Sequence, residues 1–365
     1  MELSAAPVSI SLAALDAFMH ALLAAAGADE PSCAAVARSL LAASSRGIDT
    51  HGIILLPHYL RALAGGRING RPQMRYEQRA AAVGHLDADD GFGHLAGYRA
   101  IEHGCAIAER LGIASVAVGN SSHYGAGASY VIAAAERGFV ALAFSHSDAV
   151  VVPHGGVRAF NGTNPISFAA PVPGDEPVLV DLATSAIAWN RLPLLQARGL
   201  PMPDDVALGR DGAPTTDYAA AAALMPLGGH AFGHKGAALA TMVDILSSAL
   251  TGMLHGRQLP TMDGPDYTTP RRLGHSFIVM KPAAFVPPAT YEARLQGHLA
   301  DLRAQPAGGE RPVQAPGDPE KAQLRRRTAH GVPIEAATWR ELCDAARRHD
   351  IAVPPPLPAA PGDPA

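Results

Sequence analysis

Ser122-His123-Tyr124-Gly125-Ala126-Gly127 is the stretch from which the fold can be predicted. It follows a short apolar run at residues 115–118 and precedes a helical pattern at residues 126–137. A glycine turn between a strand and a helix often cradles phosphate, because glycine lets the backbone approach a ligand. Tyr130 stands where a G-x-G-x-x-G fingerprint needs its third glycine. The Rossmann signal is therefore weak, and a tight turn at a helix start explains the stretch equally well.

Further strands and helices are predicted outward from this turn. Short apolar runs, which are typical of buried strands, occupy residues 82–86, 115–118, 140–144, 178–182 and 274–280. Helical spacing of apolar residues predicts helices at 11–26, 30–44, 57–64, 95–111, 126–137, 235–250 and 336–349. Stretches rich in proline, glycine and charge predict surface loops at 257–272 and 306–320. We therefore expect an α/β (α+β) fold with several crossovers.

Composition argues against several functional classes. Hydrophobic residues make up 48% of the 365-residue chain, which is enough for two or three lobes. The net charge of −4 gives no electrostatic footprint for nucleic acid, and no apolar run approaches the ~20 residues of a membrane span. Cys33, Cys105 and Cys343 lack the spacing of a zinc site or a disulfide framework, so no metal is expected. Because no signal-peptide pattern follows Glu2, the expected location is the cytoplasm.

Two histidines are candidates for proton transfer. His51 lies in Asp49-Thr50-His51-Gly52, and His123 lies in the stretch quoted above. Imidazole titrates close to neutral pH, and a neighbouring hydroxyl such as that of Thr50 can orient it. If folding brings the two rings together, one could deliver a proton while a soluble cofactor delivers a hydride. Taken alone, any of the 16 histidines is more often structural than catalytic.

Several short motifs occur in an order that is similar to one enzyme family. They are RGIDTHG (46–52), GRIN (66–69), SHYG (122–125), GTNP (162–165), DLATS (181–185), PTTD (214–217) and HKG (234–236). Each motif alone is unspecific. The ordered set, over roughly residues 10–350, resembles the malate/L-lactate dehydrogenase family of the second type.

The resemblance implies a homodimeric NAD(P)-dependent oxidoreductase with a small-molecule substrate, and it leaves the choice between NAD and NADP open. It also implies a nucleotide-binding domain that is not a Rossmann fold, a mixed central sheet, and a helical lobe built from N- and C-terminal segments. On this basis we expect the helical N-terminal lobe over residues 1–75 and the nucleotide-binding and sheet region over 76–255. C-terminal segments over 256–350 should return to the core and the lobe, and a disordered tail should occupy 351–365.

The resemblance assigns roles to individual residues. His123 matches the proposed acid/base histidine, and His51 matches the histidine of a Ser/Thr-His-Gly motif with Thr50 as its hydroxyl partner. Thr163 matches a substrate-side hydroxyl, although it could equally cap a turn. Positions that match cofactor contacts are His123, Tyr124, Gly125, Ala126, Gly127, Ser147, Asp181, Leu182, Ala183, His234, Lys235, Gly236, Pro316 and Gly317. Lys235 is expected at a helix start, where cation and helix dipole act together on phosphate.

The sequence departs from the family pattern in two places. Leu55 stands where the family usually has an arginine, whose planar fork can bind both oxygens of a substrate carboxylate. Trp189 and Asn190 follow the DLATS motif where smaller or charged residues are usual, and Arg191 could supply the missing cation from a new direction. We therefore expect a substrate that differs from a small 2-hydroxy or 2-oxo acid or is less acidic.

Three functions remain open at this point. The first is hydride transfer between nicotinamide and the carbonyl or hydroxyl carbon of a 2-oxo or 2-hydroxy acid or derivative, with histidine as proton donor or acceptor. The second is reduction of the C=N bond of a cyclic imine such as an imino acid. The third is binding of a dinucleotide without turnover, which Leu55 and Trp189 favour and which His51 and His123 disfavour.

Overall fold

A seven-stranded mixed sheet forms the centre of the computed structural model, which describes residues 7–197 and 199–358. The strands of the described chain are β1 (Val8–Ile10), β2 (Arg75–Ala80), β3 (Val83–Asp87), β4 (Ile113–Ser121), β5 (Val140–Ser145), β6 (Ile166–Val172), β7 (Asp175–Leu182), β8 (Ala207–Gly209), β9 (Ala221–Leu224), β10 (Leu273–Met280) and β11 (Val332–Ile334), of which seven form the central sheet. The helices are α1 (Leu12–Ala25), α2 (Glu30–Ser45), α3 (Leu56–Ala64), α4 (Gly93–Leu111), α5 (Ala128–Ala135), α6 (Arg191–Ala197), α7 (Gly229–Ser247), α8 (Pro288–Arg303), α9 (Asp318–His330) and α10 (Ala336–Arg348).

The central sheet has the strand order β2-β3-β4-β10-β5-β6-β7. Within it β3 and β4 run parallel, whereas the other neighbouring pairs are antiparallel. A Rossmann sheet is mostly parallel and is built from βαβ crossovers, so this sheet is of a different kind. The predicted α/β (α+β) class, with a mixed sheet that is not a Rossmann fold, is confirmed.

Helices α4 and α5 pack against the sheet through small residues. A Cβ on Gly104 would lie 2.8 Å from Cγ2 of Val279 on β10, and one on Gly97 would lie 2.6 Å from the Tyr130 ring on α5. Such close approaches leave room for hydrogen only. They fix the N-terminus of α5 beside the end of β7, where the backbone N–H of Ala128 donates to the Asp181 carboxylate over 3.0 Å.

The helical lobe joins both ends of the chain. Helices α1, α2, α3 and α10 share one apolar core, and β1 pairs antiparallel with β11, with Val8 opposite Ile334. Polar side chains start the first two helices, since Ser11 accepts from Ala14 N and Asp29 accepts from Ser32 N. The lobe is therefore assembled from sequence-distant segments, and it lies next to the turn that carries His51.

Several elements differ from the sequence-based prediction. The elements that were not predicted are strands β1, β2, β6, β8, β9 and β11 and helices α6, α8 and α9. Strand β2 is a largely exposed edge strand, and helices α8 and α9 lack a broad apolar face. Helix α7 begins at Gly229, so its predicted start at residue 235 was wrong. The glycine-rich residues before it resemble a loop.

The end of the described chain has no regular secondary structure. Residues 351–358 form no helix or strand, and Leu357 N donates to Ser9 O over 2.8 Å. The rest of the predicted tail, 359–365, lies outside the described residues. In the described part of the chain, no helix has the length and apolar character that crossing a bilayer requires.

Candidate active site

A cavity of about 450 Å³, here called the front cavity, opens between the helical lobe and the central sheet. Its walls come from the His51 turn, the ends of β4, β5 and β7, and the loop between α7 and β10. The predicted site residues that line it are Thr50, His51, His123, Gly125, Ala126, Gly127, Ser147, Thr163, Asp181, Leu182 and Ala183. Motifs that are distant in sequence therefore meet around one space.

His51 sits at the end of a short 3₁₀ turn, Asp49–His51. Its Nδ1 is hydrogen-bonded to the hydroxyl of Thr50 over 3.0 Å. Arg327 from α9 holds the turn in place with a two-pronged ion pair to the Asp49 carboxylate and a hydrogen bond to Ser44 O. Burial lowers the pKa of His51 to about 4. The imidazole is therefore neutral near pH 7 and fixed through Nδ1.

His123 follows the end of β4 and is held from the helical lobe. The hydroxyl of Tyr59 on α3 lies 2.7 Å from His123 Nδ1, and the Tyr59 side chain is fully buried. Burial, reinforced by the neighbouring His51 and Arg271, holds the pKa of His123 well below its ordinary value. Because Tyr59 engages Nδ1, Nε2 is the ring nitrogen left for chemistry.

The two imidazoles form a stacked pair. Their ring centroids are 6.0 Å apart and their planes meet at 28°. Protonation of one ring disfavours protonation of the other, which agrees with the lowering effect of His51 on the pKa of His123. The pair therefore accommodates one proton more readily than two.

The turn at residues 125–127 offers backbone donors to the front cavity. Gly125 has φ +72, a conformation that favours glycine, and a Cβ on Gly127 would lie 2.0 Å from Ser167 Oγ. Among the described residues, the N–H groups of Gly125, Ala126 and Gly127 have no hydrogen-bond acceptor. Three neighbouring free N–H groups at a cavity form a site for an anionic or carbonyl oxygen.

Asp181 supports this turn from β7. Its carboxylate accepts hydrogen bonds from Ser167 Oγ over 2.6 Å and from Ala128 N over 3.0 Å. Burial raises its pKa. Asp181 thus holds the start of α5, and it also lines the front cavity.

The loop at residues 260–266 closes the opposite wall and is clamped by two buried arginines. Arg67 donates to the carbonyl oxygens of Thr261 and Met262, at 3.2 and 3.0 Å. Arg271 forms an ion pair with Asp148 and donates to Pro260 O. Its Nη1 is buried and has no hydrogen-bond partner among the described residues. Arg271 itself does not line the front cavity, but it holds Asp148, which does.

Sequence reasoning missed three residues that shape this site. Tyr59 and Arg271 were not singled out, and Asn190, noted only as a departure, donates from its amide to Thr50 O over 3.2 Å. Tyr59 lies in a helix whose apolar spacing suggested only core packing. Arg271 lies in a loop without a motif. Their roles come from tertiary contacts that no local pattern carries.

Two predicted residues do not line the front cavity. The Tyr124 side chain is buried and stacks on His275 with ring centroids 4.5 Å apart, so only its backbone can belong to the turn. Arg191 is exposed at the start of α6. Arg191, which could have supplied the missing cation, is therefore not at the cavity wall.

The late cofactor positions also lie elsewhere. Lys235 is exposed in α7, within 5.4 Å of the Phe232 ring, and His234 packs edge-on to His154. Since α7 begins at Gly229, Lys235 is not at a helix start, and that prediction was wrong. A Cβ on Gly236 would lie 2.4 Å from the backbone of Leu227.

Pro316 and Gly317 lie against β7. Leu179 N donates to Pro316 O over 3.3 Å, and Gly317, with φ +96, precedes α9. This contact is two residues from Asp181 along the strand. The segment does not line the front cavity itself.

Leu55 occupies a position with no access to the front cavity. It is 7% exposed and packs in the apolar core of the helical lobe. The side chain is therefore a packing residue in this protein. Among the described residues, no group of three or more histidine, cysteine and acidic side chains is arranged to hold a metal ion.

The residues around the front cavity fit a dinucleotide. Free N–H groups at 125–127 suit oxygen atoms of an anion or amide, and Ser147, Thr163 and Asp181 add hydroxyl and carboxylate groups. A family model described as malate/L-lactate dehydrogenase matches residues 10–343. The chain belongs to the malate/L-lactate dehydrogenase family. The resemblance seen in the sequence is thereby confirmed.

Other members of the family are similar over nearly their full length. Ureidoglycolate dehydrogenase (NAD(+)) of Escherichia coli K12 is 34% identical over 90% of this chain and 93% of its own. (2R)-3-sulfolactate dehydrogenase (NADP(+)) of Chromohalobacter salexigens is 34% identical over 91% and 96%. The structure of delta1-piperideine-2-carboxylate reductase from Pseudomonas syringae pvar. tomato matches with a TM-score of 0.81 and 32% identity, covering 93% and 99%.

Proposed function

We propose that this member of the malate/L-lactate dehydrogenase family is an NAD(P)-dependent oxidoreductase that uses His123 as proton donor and acceptor. The observation that carries the proposal is the convergence of the His51–His123 pair with the free N–H groups of residues 125–127 around the front cavity. Both NAD- and NADP-dependent enzymes occur among its relatives. The proposal therefore covers both cofactors.

The chemistry follows from the state of His123. When bound, the nicotinamide supplies or accepts the hydride. In the oxidation direction, Nε2 of neutral His123 accepts the hydroxyl proton while Nδ1–H donates to Tyr59 Oη. In the reduction direction the imidazolium returns that proton to the carbonyl oxygen. The low pKa of His123 makes it a strong acid once protonated.

Arg271 supports a carboxylate-bearing substrate. Its buried Nη1 lacks a partner among the described residues, and its charge acts on His123, which lines the front cavity. A buried guanidinium nitrogen is satisfied by an anion. We therefore assign the substrate to 2-oxo or 2-hydroxy acids and their derivatives, despite Leu55. Cyclic imines with a 2-carboxylate belong to the same test, because one relative is a delta1-piperideine-2-carboxylate reductase.

The test separates an enzyme from a binding protein. NADH and NADPH are titrated by fluorescence, and turnover is then measured with malate, lactate, ureidoglycolate, 3-sulfolactate and Δ1-piperideine-2-carboxylate or their oxidised partners. His123→Gln should retain cofactor binding and lose about a hundredfold or more in kcat. Cofactor binding without turnover of any compound by the unmodified protein would refute the enzyme proposal in favour of the non-catalytic alternative.

Assembly and location complete the proposal. Met242 and Ile245 present apolar side chains from one side of α7, 41% and 52% exposed, and Leu250 follows at 64%. Exposed apolar groups that lie together favour burial against another surface, so we assign this face to a homodimer interface. Cys33 and Cys105 are buried free thiols, which supports the reducing environment of the cytoplasm.

A further inference from the structure

A second cavity lies behind the His51 turn. This rear cavity has a volume of about 150 Å³. It shares Thr50 and Asn190 with the front cavity, so these two residues form the wall between the two spaces. Asp49 and Arg327, the ion pair that holds the turn, also line the rear cavity. None of the roles assigned from the sequence involves this cavity.

The rear cavity has the properties of a water-filled space. Half of its lining residues are polar, namely Asp49, Thr50, Asn190, Arg327, Glu335 and Thr338. A buried water needs two to four polar partners and only about 10–15 Å³ of space for its centre, so this cavity can hold several waters. Its lining includes Pro7, Ile54 and Pro333, which are exposed to solvent. Water inside it can therefore exchange with bulk solvent.

Thr50 is placed to connect His51 with this water. Its hydroxyl is hydrogen-bonded to His51 Nδ1 over 3.0 Å, and the residue lines both cavities. A hydroxyl accepts one hydrogen bond and donates another at the same time. Asn190 binds the backbone carbonyl of Thr50, which leaves the hydroxyl free to act between the ring and the rear cavity.

We propose that the rear cavity is the exit through which the catalytic proton reaches solvent. After oxidation the Nε2–H bond of the His123 imidazolium breaks, and His51 gains that proton at Nε2. Its Nδ1–H bond then breaks as Thr50 Oγ1 accepts that proton, and the hydroxyl passes its own proton to water in the rear cavity. No electrons are transferred in this step. The route runs in reverse during reduction.

The need for such a route rests on the proposed function. Oxidation of an alcohol by NAD(P)⁺ releases one proton for each hydride transferred. A bound cofactor fills the front cavity, so water on that side no longer connects the imidazoles to solvent. The lowered pKa of His51, about 4, favours rapid loss of the proton near pH 7.

The decisive experiment fills the rear cavity with a larger side chain and leaves both histidines unchanged. Thr338 on α10 lines it and is 9% exposed. In the NADH-bound protein, NMR measures hydrogen exchange of the His51 ring N–H with water. Thr338→Met should slow this exchange about tenfold or more, whereas Thr338→Ser should match the unmodified protein. Equal exchange rates in all three proteins would overturn the route.

A second blocking variant and the hydroxyl itself provide independent checks. If Thr338→Met does not fold, Ile54→Trp can replace it. This substitution narrows the exposed side of the rear cavity and should also slow exchange. Thr50→Val should slow exchange while Thr50→Ser retains it. If Thr50→Ser is as slow as Thr50→Val, the hydroxyl is not the group that passes the proton, and the relay is refuted.

The exchange measurement requires no substrate, so it decides on the route even if every compound of the substrate panel is inert and the proposed function fails. If a substrate is found, single-turnover kinetics add a further readout. In Thr338→Met, proton release to a pH-indicator dye should lag behind NADH formation, whereas the two should coincide in Thr338→Ser. Coincidence in Thr338→Met would refute the route while leaving the enzyme proposal intact.

Discussion

The hydroxyl oxygen of Tyr59 lies 2.7 Å from Nδ1 of His123, which joins helix α3 of the helical lobe to the end of β4 in the central sheet. Burial raises the pKa of Tyr59, so it remains a neutral phenol. His51 has the equivalent arrangement with Thr50. In both histidines a hydroxyl holds Nδ1, and Nε2 is the nitrogen that can serve the front cavity.

Removing the Tyr59 hydroxyl should impair catalysis more than binding. A hydrogen bond to a charged group contributes about 1.5–3 kcal/mol, so Tyr59→Phe should lower kcat roughly ten- to a hundredfold. The acid limb of the kcat–pH profile should move to lower pH, because the imidazolium loses an acceptor. Tyr291→Phe, at a tyrosine that donates to Pro171 O, is the matched control. Equal kcat values for the two variants would contradict the role of Tyr59.

A side chain at residue 127 should disturb the backbone donors. In Gly127→Ala the added Cβ meets Ser167 Oγ at 2.0 Å, and Ser167 holds Asp181. The turn must shift, and we expect NADH affinity to fall about tenfold or more. Fluorescence titration measures the loss. Gly297→Ala lies in α8 with nothing within 4 Å of its Cβ, and it should leave affinity unchanged.

Arg271 should be required for carboxylate-bearing substrates. Arg271→Lys keeps the charge but loses the planar fork, so KM for the best acid of the panel should rise about tenfold. The neighbouring Arg272 is exposed and pairs with Asp90, which makes Arg272→Lys the control. The two variants should be compared with the acid and its uncharged amide. A uniform loss on acid and amide would show that Arg271 only supports the loop.

Acid sensitivity should come from buried neutral histidines. Both nitrogens of His94 are buried without a hydrogen-bond partner among the described residues, and burial lowers its pKa to about 3. An unfolded histidine binds a proton below about pH 6.5, whereas the folded one does not until about pH 3. The free energy of unfolding should therefore decrease as the pH falls through this interval.

Replacing His94 should flatten that dependence. Denaturant unfolding between pH 7 and pH 4 should show a shallower loss of stability for His94→Met than for the unmodified protein. His298→Met, at an exposed histidine, should keep the original slope. Parallel curves for all three proteins would exclude His94 as a source of acid sensitivity.

The exposed face of α7 should control assembly. Ile245→Glu places a charge on the face assigned to the dimer, and light scattering should show the mass change from two chains to one. Leu111 on α4 is 49% exposed, similar to Ile245 at 52%, so Leu111→Glu should leave the mass unchanged. A single-chain mass for the unmodified protein would refute the interface.

The elements that local sequence patterns encode could be predicted from the sequence. Apolar runs located β4, β5, β7 and β10, and the ordered motifs placed His51 and His123 in one site. Lys235 was wrongly predicted at a helix start because the glycines before it resemble a loop. Helix α9 was missed because it is polar and because its first residues fall in the proline-rich stretch that predicted a loop. Arg271 and Tyr59 act through partners far along the chain. Leu55 stands where the family usually has an arginine, and its side chain packs in the apolar core of the helical lobe.

The ion pair between Asp49 and Arg327 has a consequence for biosynthesis. A ribosome completes most of the protein before it reaches residue 327, so the turn bearing His51 stays without its clamp until translation is almost over. Premature stop codons upstream of α9 would yield chains that lack this clamp and also lack β11 and α10, which complete the helical lobe.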